Sequence, residues 1–166
     1  MSGQSAAVEN LRSKIGEYLR AALGRYEVTR DGSYSLRHGS TRLIIQPVAL
    51  PGSDKTIVNL LAFVNIDVNV NNDLIKYLMD LNKNVIFGKF IVVEDQKMVL
   101  CQHSLLGEKL DQEELMVGIA AIALTADKYD DEIKARFGGM RVIDAENEAL
   151  RRFPGGYTGG TMEGPP

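Results

Sequence analysis

Cys101 and His103 are the two residues of this chain best suited to chemistry. They stand two apart in a run of strand character, Lys97 to Leu105 (KMVLCQHSL), so both side chains fall on one face and a thiol comes near an imidazole. The remainder of a nucleophilic site is missing. Lys97, Val99 and Leu105 share that face, and no Gly-rich turn beside them supplies amides for an oxyanion. A lone cysteine in an apolar strand reads as a small core residue, and it leaves no second thiol for an intrachain disulfide or a thiolate metal cage. His38 falls in a hairpin turn, where solvation is expected.

Metal ligation and acid–base work fare no better. Asp67-x-Asn69-x-Asn71 resembles the opening of a calcium loop, but the sixth position, which needs Gly, is Asn72, and the twelfth, which needs a carboxylate, is Leu78. The carboxylates at Glu113-Glu114, Asp130-Asp131-Glu132 and Glu146/Glu148 fit solvated helix faces or a helix N-terminus. Nothing in the sequence buries one in a cleft, as acid–base catalysis requires. Gly155-Gly156 and Gly159-Gly160 lack the Lys-Ser/Thr and the preceding strand of a phosphate loop. No enzyme and no cofactor are expected.

The elements that would hold these residues are clearer than the chemistry. Asp111 to Gly139 reads as one helix, with Asp111 and Glu114 as a capping box and Gly138-Gly139 as the stop. Leu115, Ile119, Ile122, Ala126, Tyr129 and Ile133 form its inner stripe. At 1.5 Å per residue it is about 40 Å long, enough to cross a small sheet. Its half from Leu115 to Ala126 carries no charge and needs cover on more than one side. Gly118 inside it costs about 1 kcal/mol relative to Ala and marks a close backbone approach.

Before it, residues 1–5 are small and polar, and Val8, Leu11, Ile15, Leu19 and Leu23 keep a helical period that ends at Gly24. Strand segments follow at Tyr26–Thr29, Tyr34–Arg37 and Arg42–Val48, separated by Asp31-Gly32 and His38-Gly39-Ser40 turns. Thr56 to Val70 reads as the clearest strand, with Val58, Leu60, Ala62, Val64, Ile66, Val68 and Val70 on one face. Its other face is apolar at Ile57, Leu61 and Phe63, then polar at Asn65, Asp67 and Asn69. Asn71-Asn72-Asp73 caps a helix to about Asn84, and Phe87–Glu94 with Lys97–Leu105 forms a hairpin. The order is helix, three-strand antiparallel meander, helix, two-strand hairpin, long helix: an α+β layer with helices on one face of one sheet. Residues 1–139 are expected as the folded domain, and 140–166 as a short helix followed by a flexible Gly/Pro-rich tail.

Composition sets outer limits. The chain has 166 residues, a net charge of −3, 45% hydrophobic and 25% charged residues, and pI 5.4, which suits one globular domain and argues against nucleic acid. No apolar run has the length of a bilayer span, and the N-terminus lacks a signal-peptide core, so no membrane association and a cytoplasmic location are expected.

This order resembles the type III secretion chaperone-like fold, and in particular the YbjN family of bacterial proteins. The resemblance rests on Leu78-Met79-Asp80-Leu81-Asn82, Phe87-Gly88-Lys89-Phe90, Leu110-Asp111-x-Glu113-Glu114-Leu115, and Ala126-Asp127-Lys128-Tyr129-Asp130-Asp131-Glu132 leading to Phe137-Gly138-Gly139, within residues 6–140. It implies a non-enzymatic α+β domain, commonly dimeric, that holds partner polypeptides on apolar surface and strand edges; some YbjN-type proteins are described as sensory-transduction or stress regulators.

Surplus apolar surface agrees with such a role. The expected function is a chaperone-like or regulatory module that binds a protein or peptide, with Ile57, Leu61 and Phe63 as the partner surface and Tyr77 and Met79 as a homodimer or partner contact. The alternative is a small-molecule sensor or weak enzyme with a pocket between sheet and long helix.

Overall fold

The computed structural model describes residues 2–152. The elements are α1 (Ser2–Leu23), β1 (Glu27–Val28), β2 (Tyr34–His38), β3 (Thr41–Ala49), β4 (Thr56–Asn65), α2 (Asn72–Asn82), β5 (Lys89–Val93), β6 (Met98–Leu106), α3 (Gln112–Phe137) and α4 (Val142–Arg152). The six strands form one antiparallel sheet in the order β1-β2-β3-β4-β6-β5. This is the expected α+β layer. The Gly/Pro-rich tail expected after Phe153 lies outside the described residues.

Alternation builds the core. Leu43 and Ile45 of β3, Val58, Leu60, Ala62 and Val64 of β4, and Val99, Cys101 and Leu105 of β6 are buried on one face. Leu11, Ile15 and Leu19 of α1 and Leu115, Ile119, Ile122, Ala126 and Ile133 of α3 close over them in one cluster. Gly118 is the point of closest approach: a Cβ there would stand 3.0 Å from Leu60 Cδ1 and 3.3 Å from Leu105 Cδ1. The helix therefore accepts a poor helix former so that its backbone can press onto the sheet.

The ends of α3 are fixed by local chemistry. Asp111 Oδ1 accepts from the Glu114 N–H at 2.7 Å. Gly138 and Gly139 take φ of +73° and +78°. At Gly139 a side chain is excluded twice over, by that φ and because a Cβ would run into the Ile66 carbonyl oxygen.

Two strand expectations are corrected. β4 stops at Asn65 rather than Val70: a register shift between Phe63 and Asn65 turns Val64 and Asn65 both inward, and Ile66 then makes only an isolated bridge to Met140. Asn65 is held there by its side-chain amide, which donates to the Asp130 carbonyl at 3.0 Å. The first strand of the hairpin starts at Lys89 rather than Phe87, because Gly88 adopts a φ of +82° with Gln102 close against it.

Candidate partner-binding surface

Where one strand is shorter than its neighbour, backbone hydrogen-bonding groups are left at an edge. β1 pairs only Glu27 with Ser35 and Val28 with Tyr34, so Leu36–His38 of β2 have no strand on that side. β5 pairs only with Met98–Gln102, so His103–Leu106 of β6 are likewise open. Beside each open edge lies a groove, and the two flank the charge-free half of α3. The larger, about 830 Å³, is floored by Leu36, Leu43, Met116 and Ile119 and rimmed by Arg25, Arg37, His38 and Arg42. The smaller, about 560 Å³, lies between Phe87, Leu105, Leu106 and Val117 and is rimmed by Asp111, Glu113 and Glu114. Three arginines and Glu27 border the first groove, and three carboxylates and His103 border the second.

The outer edge of β5, one of the two terminal strands of the sheet, is treated differently. Asn82 of α2 sets its side-chain amide against Phe90, accepting from the N–H at 2.7 Å and donating to the carbonyl at 3.1 Å. That amide takes the place of a neighbouring strand and closes the edge to addition at Phe90.

Ile57, Leu61 and Phe63 lie on the sheet face turned away from α1 and α3, half-buried among cross-strand neighbours. Val48, Ile57 and Leu106 stand in one cross-strand row, Ile44, Leu61 and Gln102 in another, and Phe63, Leu100 and Ile91 in a third. Leu106 remains 61% exposed. Tyr77 and Met79 part company. Met79 is 62% exposed with Ile75 beside it on α2, whereas Tyr77 is half-buried, its ring 5.5 Å from that of Phe137 and 4.2 Å beneath the Arg136 guanidinium. Burial, then the neighbouring Glu132, pushes the Tyr77 phenol up to about 12.

α3 keeps an open side over its charge-free half, with Val117 49% and Leu124 59% exposed. Val117 also forms one wall of the smaller groove.

The residues first considered for chemistry are spread apart in role. Cys101 is fully buried, and desolvation pushes its thiol up to about 12, far from a thiolate nucleophile. His103 stands edge-on to Phe87 with ring centres 5.6 Å apart. Among the described residues no group of three or more His, Cys, Asp or Glu is arranged to hold a metal ion.

One buried charge escaped the sequence reading. Asp130, 2% exposed, accepts from the Ser40 hydroxyl, which also donates to Asp127 Oδ1 at 2.9 Å. Desolvation raises the Asp130 carboxyl and the Ser40 bond opposes it, while the Ser40 hydroxyl and amide lower Asp127. This cluster ties the β2–β3 turn to α3. The rim arginines also went unnoticed. Arg37 and Arg42 are direct cross-strand neighbours, a like-charge pairing that is unfavourable without an anion nearby; their symmetric placement about the His38-Gly39-Ser40 turn was the available signal.

The scaffold thus presents two apolar grooves, each beside an unpaired stretch of strand edge. The family described as "T3SS (YopN, CesT) and YbjN peptide-binding chaperone 1" matches residues 9–145, and the chain belongs to it. Among solved structures, a chain of the ExsC-ExsE complex shares the fold at a TM-score of 0.57 and 15% sequence identity, over 76% of this chain and 95% of that one. A search of the curated proteins finds no match. No described helix is long and apolar enough to cross a membrane.

Proposed function

We propose that this chain is a non-enzymatic, cytoplasmic peptide-binding chaperone or regulator that receives an extended partner segment on an unpaired strand edge. Backbone hydrogen bonds to the edge supply affinity, and side chains directed into the adjacent groove and onto the outer sheet face supply selectivity. The observation that carries this reading is the contrast between edges: β5 is closed at Phe90 by Asn82, while Leu36–His38 and His103–Leu106 stay open beside apolar grooves. The family description speaks of peptide binding, and the structural neighbour was solved in a complex, which supports a protein partner. Ile57, Leu61 and Phe63 extend the apolar surface beyond the edges. Met79, with Ile75, serves as a homodimer contact through α2, and Tyr77 supports that helix from behind.

Random-peptide display on the immobilised full chain tests this reading. Enriched peptides are expected to bind the Leu61→Gln/Phe63→Gln double variant at least about tenfold more weakly, equivalent to about 1.4 kcal/mol, while its fold persists by circular dichroism. Absence of any enriched peptide contradicts the reading. For the dimer, sedimentation of wild type and Met79→Glu decides: a strict monomer at high concentration in the wild type rules it out.

A further inference from the structure

Arg37 and Arg42 stand directly opposite each other on β2 and β3, on the face turned from α1 and α3. Two guanidinium groups so placed repel unless an anion lies between them. Glu146 of α4 is that anion. Its Oε1 accepts from Arg42 Nε at 3.1 Å and Nη2 at 2.9 Å, and its Oε2 pairs with Arg37. Arg42 also reaches Glu27 at 3.1 Å. This is a seat for a carboxylate, built from a forked donor and a second cation.

The occupant of the seat is lightly held. From Val142 to Ala149, α4 contributes no residue to the core. Its polar ties besides Glu146 include Lys134 to Asp144 at 2.9 Å, Arg141 to Asp144 at 2.9 Å, and the Ile143 amide to the Ser40 carbonyl at 3.4 Å. Partly exposed ion pairs of this kind are weak and exchangeable. Glu146 is therefore a carboxylate that another carboxylate can replace.

The seat also adjoins the open edge of β2. A strand added along Leu36–His38 sends alternate side chains to opposite faces of the sheet. On one side they meet Leu36, Met116 and Ile119; on the other they meet Arg37 and Arg42. Arg25 borders the same groove without an ion-pair partner among the described residues, while Glu27 on that border is already paired with Arg42.

Building on the peptide-binding reading above, we propose that Glu146 is an internal placeholder, and that the partner of this edge is a polypeptide segment in which an aspartate or glutamate lies between apolar residues. The partner's carboxylate takes the arginine seat from Glu146 while its apolar neighbours enter the groove. Loss of that tie loosens α4, and by linkage any change that loosens α4 favours the partner.

The test uses the full chain, peptides enriched by random display on it, and fluorescence polarisation. Enriched peptides are expected to show an acidic residue flanked by apolar ones, and replacing that residue by its amide should weaken binding by about tenfold, as for loss of one charge-assisted contact. Glu146→Gln in the protein should tighten the acidic peptides several-fold and leave their amide counterparts unchanged. Arg42→Gln should erase the acidic preference while the amide counterparts still bind. Should Glu146→Gln disturb folding, Glu146→Asp, which keeps the charge but shortens its reach, is expected to tighten the acidic peptides in the same direction. Enriched peptides without acidic preference, or unchanged or weaker binding to the Glu146 variants, overturn the placeholder and leave the peptide-binding reading intact. No enriched peptide at all overturns both.

Discussion

The Asn82 side chain hydrogen-bonds both the N–H and the carbonyl of Phe90, at 2.7 and 3.1 Å, and so occupies the outer edge of β5 as a neighbouring residue of a strand would. The contact joins the end of α2 to the sheet and closes the β5 edge at Phe90.

Asn82→Ala removes two hydrogen bonds to backbone groups at a half-buried site. The expected loss is about 1–3 kcal/mol, since Phe90 is left with unsatisfied groups, read as a lower urea midpoint. The freed edge should also raise self-association, visible by sedimentation at increasing concentration. Unchanged stability would mean that water replaces the amide without loss.

Leu60 and Leu61 are sequence neighbours on opposite faces of β4: Leu60 is fully buried beneath α3, and Leu61 is half-buried on the outer face. Leu60→Ala should cost about 2–5 kcal/mol, the range for a core leucine, and Leu61→Ala clearly less. Paired denaturation curves check the order. Equal losses would place Leu61 in a covered core and remove it from the proposed partner surface.

Gly139→Ala should destabilise the chain by about 2 kcal/mol or more, combining a left-handed backbone penalty with a collision at the Ile66 carbonyl. Because Met140 bridges to Ile66 immediately afterwards, amide exchange in α4 should accelerate as well. Gly138→Ala has the same sign of φ but open space around it, so it should be milder.

Asp130 gives a pH dependence of known sign. Burial raises its carboxyl above the ordinary 3.8, so the folded chain holds that proton more tightly than the unfolded chain. This group therefore contributes a destabilising ionisation near neutrality that is relieved as pH falls through its folded pKa toward 3.8. Asp130→Asn lacks that relief, so the Tm difference between variant and wild type should shift in favour of the wild type as pH falls. A difference constant with pH contradicts the account.

Cys101 should resist alkylation in the native protein at pH 8 and react only on unfolding, because its thiol is buried and pushed up to about 12. A thiol-reactive dye with and without denaturant measures this directly. Rapid native labelling would contradict the core placement.

The sequence made some of this legible and hid the rest for identifiable reasons. Period-2 alternation from Val58 to Val64 and the capped stripe from Leu115 to Ile133 depend on local spacing, and both elements appear as expected. The same alternation continues in sequence through Ile66, Val68 and Val70, yet the strand stops, because Asn65 is turned inward by a bond to Asp130, far along the chain. Asp130 itself lies four residues after Ala126 and three before Ile133, on the buried stripe, so its burial was readable from spacing and was obscured by its charged neighbours. The separation of Ile57, Leu61 and Phe63 from the core face followed from strand parity. The open edges did not, since they arise from the difference in length between β1 and β2 and between β5 and β6, which tertiary packing sets. Glu146 over Arg37 and Arg42 is a contact across more than a hundred residues, and no local pattern announces it.

Strand addition at an open edge is the central claim, and hydrogen–deuterium exchange of the full chain with and without a display-selected peptide tests it most directly. The account expects new protection of backbone amides within Leu36–His38 or His103–Leu106, with β5 around Phe90 unchanged because Asn82 already holds it. Saturating peptide that leaves both open edges exchanging as in the free chain, or that protects β5 instead, would contradict it.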